Sequence, residues 1–148
     1  MQKAIRMLDV GMQGFVGNEM NFVNLDKELS EPTDKRIFAI AVALQKGYSV
    51  DKIHDLTKIT KWFLYKMKNI VDLENHIANK KLNDVDTELM RHLKQNGFSD
   101  YQIGKQTNTK ELEVREYRKS LNVIPVVKQI DTMAAEFPAQ TNYLYLTY

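Results

Sequence analysis

Laid on itself at a shift of fifty residues, the chain matches without a gap through its central part. Gln45 falls on Gln95, Gly47 on Gly97, Tyr48 on Phe98, Ser49 on Ser99, Ile53 on Ile103 and Thr57 on Thr107. The register continues with Trp62 on Leu112, Leu64 on Val114 and Met67 on Tyr117. Such a repeat restricts the fold more than any single motif. Each copy must be one supersecondary unit with an apolar face, and two copies bury those faces against each other. Each copy, 45–71 and 95–121, reads as the end of a helix, a glycine stop, an aromatic-serine turn, a short helix, a turn and a longer helix. Gly47 and Gly97 supply the left-handed position after a helix, and the aromatic that follows each can fold back on that helix. The expected fold is mainly α: two repeated helix-turn-helix-like units packed as a helical bundle, with extended segments at the C-terminal end.

Around this core the organisation divides at 1–30, 31–123 and 124–148. Gln2 to Leu8 has helical spacing with no capping residue. Residues 9–30 carry Gly11, Gly14, Gly17, Asn18 and Asn21, which predicts a loop anchored by Phe15, Phe22 and Leu25. Thr33 is the expected N-cap of a helix burying Ile37, Ile40, Ala41 and Leu44. Ser49 caps a short helix with Ile53 and Leu56 inside. Thr60 is expected to cap a long helix, 61–78, with Phe63, Leu64, Met67, Ile70, Val71 and Ile77 on its apolar face. The polar stretch 80–84 reads as a linker. A helix near 86–96 buries Leu89, Met90 and Leu93. Ser99 and Gln102 have capping-box spacing. Thr109 should open the last helix, with Leu112, Val114, Tyr117 and Leu121 inside and Asn122 closing it. From Pro125 the period changes to that of two extended segments. Both ends read as cut from a longer chain.

The residues argue for structure rather than chemistry. Net charge is +2 with acids and bases intermixed, too mild to demand a polyanionic or membrane partner. There is no cysteine, which removes disulfides and thiolate ligands. No apolar run reaches the roughly 20 residues of a membrane span. His54, His76 and His92 have no metal-ligand spacing, so no metal site is assigned. Gly11, Gly14 and Gly17 follow no strand and lack the lysine of a phosphate loop. No catalytic or cofactor-binding residue is assigned. The repeated unit admits one functional alternative, a helix-turn-helix nucleic-acid-binding module. Its second-copy helix, however, carries Glu111, Glu113 and Glu116, which oppose the counterion release that drives such binding, and nucleic acid is not expected as a partner. Trp62 and Phe63 form the largest local aromatic surface. They are expected first as core and second as an interface anchor.

Four segments resemble the large synthetase component of carbamoyl-phosphate synthetase: Asp34-Lys-Arg-Ile37, Thr57-Lys-Ile-Thr-Lys-Trp-Phe-Leu64, Val127-Lys-Gln-Ile-Asp-Thr-Met-Ala-Ala-Glu-Phe137 and Thr141-Asn-Tyr-Leu-Tyr-Leu-Thr-Tyr148. The wording of 127–148 is closest to the eukaryotic forms, including the multifunctional pyrimidine-pathway proteins. Thr60 stands where the family usually has Asp, and the 10–30 loop matches poorly. The resemblance implies the central helical oligomerisation domain between two ATP-grasp halves. It implies no activity in this segment. ATP and Mg belong to the parent, which makes carbamoyl phosphate from bicarbonate and glutamine-derived ammonia. The implied partners are the flanking halves and, through self-association, further copies. The implied location is cytoplasmic, with the mitochondrial matrix as alternative. Structural or interface roles fall to Trp62, Phe63, Gly47, Gly97, Lys128, Asp131, Glu136 and Phe137.

Overall fold

The computed structural model describes residues 1–131, 136, 138 and 143–148. Among them are eight helices: α1 (Gln2–Met7), α2 (Leu25–Ser30), α3 (Arg36–Gln45), α4 (Val50–Thr57), α5 (Lys61–Ile77), α6 (Thr87–Gln95), α7 (Asp100–Thr107) and α8 (Glu111–Ser120). Two strands follow, β1 (Val126–Ile130) and β2 (Tyr143–Thr147). The mainly helical architecture expected from the repeat is present, and its register holds at four boundaries. α3 and α6 end at Gln45 and Gln95, α4 and α7 occupy equivalent residues, and α5 and α8 start at Lys61 and Glu111.

The same local chemistry produces both copies. Gly47 (φ +82°) and Gly97 (φ +84°) take the left-handed conformation that glycine adopts most cheaply. Each lets the next amide reach back to the helix: Tyr48 N–H donates to the Ala43 carbonyl at 2.9 Å and Phe98 N–H to the Leu93 carbonyl at 3.1 Å. The Ser49 hydroxyl accepts from Lys52 N–H at 3.1 Å and the Ser99 hydroxyl from Gln102 N–H at 3.0 Å, satisfying donors that a helix start leaves orphaned. Thr57 and Thr107 close the short helices by donating to the carbonyls of Ile53 and Ile103. Ile53 and Ile103, then Leu64 and Val114, are wholly buried at equivalent positions. α5 ties the copies together, packing on α3 and α4 of its own unit and on α7 of the other.

Several expectations need correction. The 9–30 loop contains α2, started by Asn24, whose side chain accepts from Lys27 N–H at 3.0 Å. Thr33 caps nothing: its backbone carbonyl accepts from Arg36 N–H in a turn, and the helix begins at Arg36 with Lys35 as its flanking residue. Thr60 sits at the start of α5 without a side-chain cap bond. α8 opens after Lys110 rather than Thr109, whose hydroxyl is paired with that of Thr107 at 2.8 Å. The 80–84 linker holds a short 3-10 turn, Leu82–Asp84, with Leu82 packed on the core. Leu112 and Phe63, expected inside, lie on the surface, because the helix faces that bury Val114 and Leu64 turn them outward.

The extended segments form an antiparallel pair, with Val126 opposite Thr147 and Ile130 opposite Tyr143. The pair lies beside α1 and the end of α6, where Ile130, Tyr145 and Leu146 share a cleft with Lys3, Lys94 and Gly97. Its contacts with the body include Lys3 Nζ donating to the Leu146 carbonyl at 3.1 Å and the ring of Tyr148.

Candidate functional site

The features that could serve a function are a surface at the start of α5, a polar core in the second copy, and a carboxylate between the copies. At the first, Trp62 is 60% exposed and Phe63 54% exposed, so the expectation of burial is overturned and the interface reading of this pair remains. The two rings meet edge to face with centroids 4.9 Å apart, a geometry aromatic quadrupoles favour. Lys66, one turn on, places its ammonium 5.3 Å from the Trp62 ring centroid, and Tyr65 is also exposed. Large aromatic surface held in place by its own contacts is already ordered for an incoming partner.

In the second copy, polar residues occupy positions that are apolar in the first. Asp100, at the position of Val50, accepts from Lys94 Nζ at 2.7 Å and from Arg118 Nε at 2.8 Å. Burial by itself raises the Asp100 carboxyl, but the bonds from Lys94 and Arg118 outweigh it and hold the group below its ordinary value. Lys94, at the position of Leu44, is drawn down by burial and partly restored by Asp100. Its ammonium also donates to the Phe98 carbonyl at 2.8 Å, and Arg118 Nη1 donates to the Val123 carbonyl at 3.2 Å. The ion triad thus also binds carbonyls just beyond the ends of α6 and α8. The Tyr148 ring lies over both cations, 5.3 Å from Lys94 and 5.8 Å from Arg118, and its burial pushes the phenol up.

A second network surrounds Gln102. Its Oε1 accepts from Ser99 N–H and from Arg6 Nη1, both at 3.0 Å, while its amide donates to Gln2 Oε1 at 3.2 Å and the Val16 carbonyl at 2.9 Å. Arg6 also reaches the Gly97 carbonyl at 2.8 Å. The 10–30 segment is therefore fastened to the second copy by a buried glutamine. Gly14 suits this place because its φ of +142° is one that residues with a side chain rarely adopt, and a Cβ would crowd Gln2 Oε1.

Glu74, on α5, is 6% exposed. It accepts from Gln45 Nε2 of α3 at 2.7 Å and from Gln106 Nε2 of α7 at 3.2 Å. It thereby links the two copies, and burial raises its pKa. Both carboxylates, Glu74 and Asp100, are enclosed by donors rather than aimed at open space. Among the described residues no three His, Asp or Glu side chains converge as metal ligands, and no helix is long and apolar enough to cross a membrane.

The remaining sequence candidates are dispersed. Gly47 and Gly97 end α3 and α6. Lys128 is exposed in β1 opposite Tyr145, and Asp131 and Glu136 are exposed beyond it. Phe137 lies outside the described residues. The ion triad and the Gln102 network were missed. The signal was in the repeat itself: at a shift of fifty, Lys94 falls on Leu44 and Asp100 on Val50, so polar residues stand where the first copy shows core.

The family model described as carbamoyl-phosphate synthetase large chain, oligomerisation domain, matches residues 1–122. The chain is similar to the multifunctional protein pyr1-3 of Dictyostelium discoideum, 52% identical over 99% of this chain and 7% of the relative. It is 50% identical to the multifunctional protein CAD of Squalus acanthias, over 99% of this chain and 6% of the relative. It is 51% identical to the mitochondrial arginine-specific carbamoyl phosphate synthase large chain of Schizosaccharomyces pombe, over 100% of this chain and 13% of the relative. The chain thus spans a small fraction of the length of the curated relatives it matches.

Proposed function

From a chain that belongs to the family of carbamoyl-phosphate synthetase large-chain oligomerisation domains, we propose a non-catalytic connecting and oligomerisation module of a carbamoyl-phosphate synthase. The parent would make carbamoyl phosphate from bicarbonate and glutamine-derived ammonia in two ATP-grasp halves that bind ATP and Mg. This domain would hold those halves at a fixed separation, α1 continuing from one and the β1–β2 pair leading to the other. Lys128, Asp131, Glu136 and Phe137 would take structural or interface roles, and Trp62 and Phe63 would form a contact surface. We place the parent in the cytoplasm, on the likeness of 127–148 to the multifunctional pyrimidine-pathway proteins.

The observation that carries this reading is the family match over two copies of one helical unit tied through α5 and Glu74. A spacer between active centres must resist bending, and a core shared between repeats makes the two units one body. Isothermal titration of the chain with Mg-ATP should give no binding at micromolar concentrations. A micromolar dissociation constant would overturn the non-catalytic assignment.

A further inference from the structure

The ion triad leaves hydrogen-bonding capacity unspent beside a cleft. The Lys94 ammonium has three N–H donors and places two, on the Phe98 carbonyl and on Asp100. The Arg118 guanidinium has five and places two, on Asp100 and on the Val123 carbonyl. The other donors of both groups meet no acceptor among the described residues. What stands beside them is the Tyr148 ring, 5.3 Å from Lys94 and 5.8 Å from Arg118, near the outer limit of about 6 Å for such a contact. Lys94 and Tyr148 line a cleft of about 260 Å³ with Lys3, Gln95, Ile130 and Tyr145 among its other walls.

Charge points the same way. Lys94 and Arg118, with side chains 7% and 11% exposed, share the single carboxylate of Asp100, so the triad holds one positive charge in excess. The charge of Arg6 is felt at Lys94 and that of Arg115 at Tyr148. Arg6 is bonded to the Gln13 and Gly97 carbonyls and to Gln102 Oε1, none of them charged. Lys3 gives one donor to the Leu146 carbonyl. A buried cation without its full counter-charge is costly, and an anion taken up here would offset that cost. We infer that the cleft between α6 and β2 binds a small phosphate-like dianion, held by Lys3, Lys94 and Arg118 once the Tyr148 ring turns aside. A tetrahedral dianion offers more acceptors and twice the charge of a monocarboxylate to these donors. The arrangement belongs to the second copy alone. The equivalent of Lys94 is Leu44, in the core, and that of Arg118 is Lys68, exposed and paired with Asp72 at 2.6 Å.

Isothermal titration of the whole chain with inorganic phosphate, with ionic strength held constant by chloride, tests this. The dissociation constant should lie near about 1 mM, and acetate should bind about tenfold more weakly. Lys3→Glu should weaken phosphate binding by about tenfold. Lys46→Glu makes the same change of net charge on an exposed residue of the first copy and should leave binding within about twofold of wild type. Tyr148→Ala removes the covering ring and no charge, and should tighten binding by about threefold, because the competent state no longer competes with the closed one. No binding up to about 20 mM phosphate overturns the inference, and so does an equal loss in Lys3→Glu and Lys46→Glu. Acetate binding as tightly as phosphate overturns the assignment of a dianion.

Discussion

In the first copy Leu44 and Val50 flank the turn between α3 and α4. In the second, the equivalent Lys94 and Asp100 flank the turn between α6 and α7, joined by Arg118. The backbones agree at their helix ends, glycine stops and serine caps, and the four residues are equally buried, at 6–9% exposure. One scaffold therefore accepts either an apolar contact or an ion triad at the same place. The lesson concerns what each solution is good for. Apolar contacts are tolerant of small shifts. A buried carboxylate with two cations fixes distances and fails badly when one member is lost. The triad lies where α1 and the β1–β2 pair reach the second copy, whereas the 10–30 segment reaches both, with Phe15, Val16 and Met20 beside Phe38, Ala41 and Val42 of α3.

The sharpest way to break the comparison is to remove the carboxylate. Asp100→Ala leaves Lys94 and Arg118 buried without a counter-charge and should cost about 3–5 kcal/mol. The equivalent Val50→Ala only empties a small volume and should cost about 2 kcal/mol. Urea unfolding of both variants decides it; equal losses would mean that the triad behaves as ordinary packing. Replacing the triad by apolar residues, with Lys94→Leu and Asp100→Val as in the first copy and Arg118→Leu in addition, should leave stability within about 2 kcal/mol of wild type, in either direction. It should also raise hydrogen exchange in β2, because the Tyr148 ring loses both cations.

A second difference lies in the turn that follows the short helix. In the first copy His54 Nδ1 donates to the Ile59 carbonyl at 2.7 Å. In the second that position is Gly104, and a Cβ there would stand 2.6 Å from the Thr109 carbonyl oxygen. The α7–α8 turn is thus drawn tighter than its counterpart, and only glycine fits. Gly104→Ala should cost about 2–3 kcal/mol, since the obstacle is backbone and cannot swing aside. His54→Ala removes one half-buried hydrogen bond and should cost about 1 kcal/mol. Thermal unfolding of the pair tests this, and similar midpoints would contradict the tighter turn.

The two buried carboxylates give opposite pH dependence. Glu74 has a folded pKa above its ordinary 4.5, so the folded chain holds its proton more tightly and stability falls as pH rises from 4.5 through the raised value. Asp100 has a folded pKa below its ordinary 3.8. Its contribution is complete above 3.8 and is lost as pH falls through the depressed value. Glu74→Gln can keep its bonds if Gln45 or Gln106 turns its amide over. It should change stability at neutral pH by less than about 1 kcal/mol and flatten the decline above pH 4.5. A decline of unchanged slope in this variant would assign it to another group.

The repeat made the helical order, the glycine stops and the serine caps legible, because each depends on residues within one turn of chain. The buried set was legible where period and repeat agreed, as at Ile53, Leu64, Met90 and Ile103. It was lost where they conflicted. Phe63 faces out beside buried Leu64, and Leu112 faces out two residues before buried Val114, since hydrophobicity alone cannot say which of two nearby apolar residues a helix turns inward. α2 was missed because it is six residues long and is held by Leu25 and Leu29 in the core and by a Lys52–Asp26 pair at 3.1 Å. None of those contacts can be read from the segment alone. The candidate surface was half legible: Trp62 and Phe63 stood out by composition, and only the structure showed that they are exposed.

The smallest contrast is between the two serine caps. Ser99 belongs to a complete box, in which Gln102 Oε1 accepts from Ser99 N–H while the serine accepts from Gln102 N–H. Ser49 makes only the forward bond, because the equivalent of Gln102 is Lys52, which has no acceptor. Ser49→Ala should therefore cost about 1 kcal/mol and Ser99→Ala about 0.5 kcal/mol more. The extra loss follows because the serine hydroxyl holds Gln102 in place for its returning bond from Ser99 N–H. Lys52→Gln would build the missing box at the first turn. It would give up the Lys52–Asp26 pair, whose side chains are 43% and 49% exposed and which is worth well under about 1 kcal/mol. The two effects nearly cancel in total stability, so the informative measurement is the cycle with Ser49→Ala. In the Lys52→Gln background that substitution should cost about 0.5 kcal/mol more than in wild type, matching Ser99→Ala. An unchanged cost would show that the box in the second copy is held by the N-terminal segment and not by its own four residues.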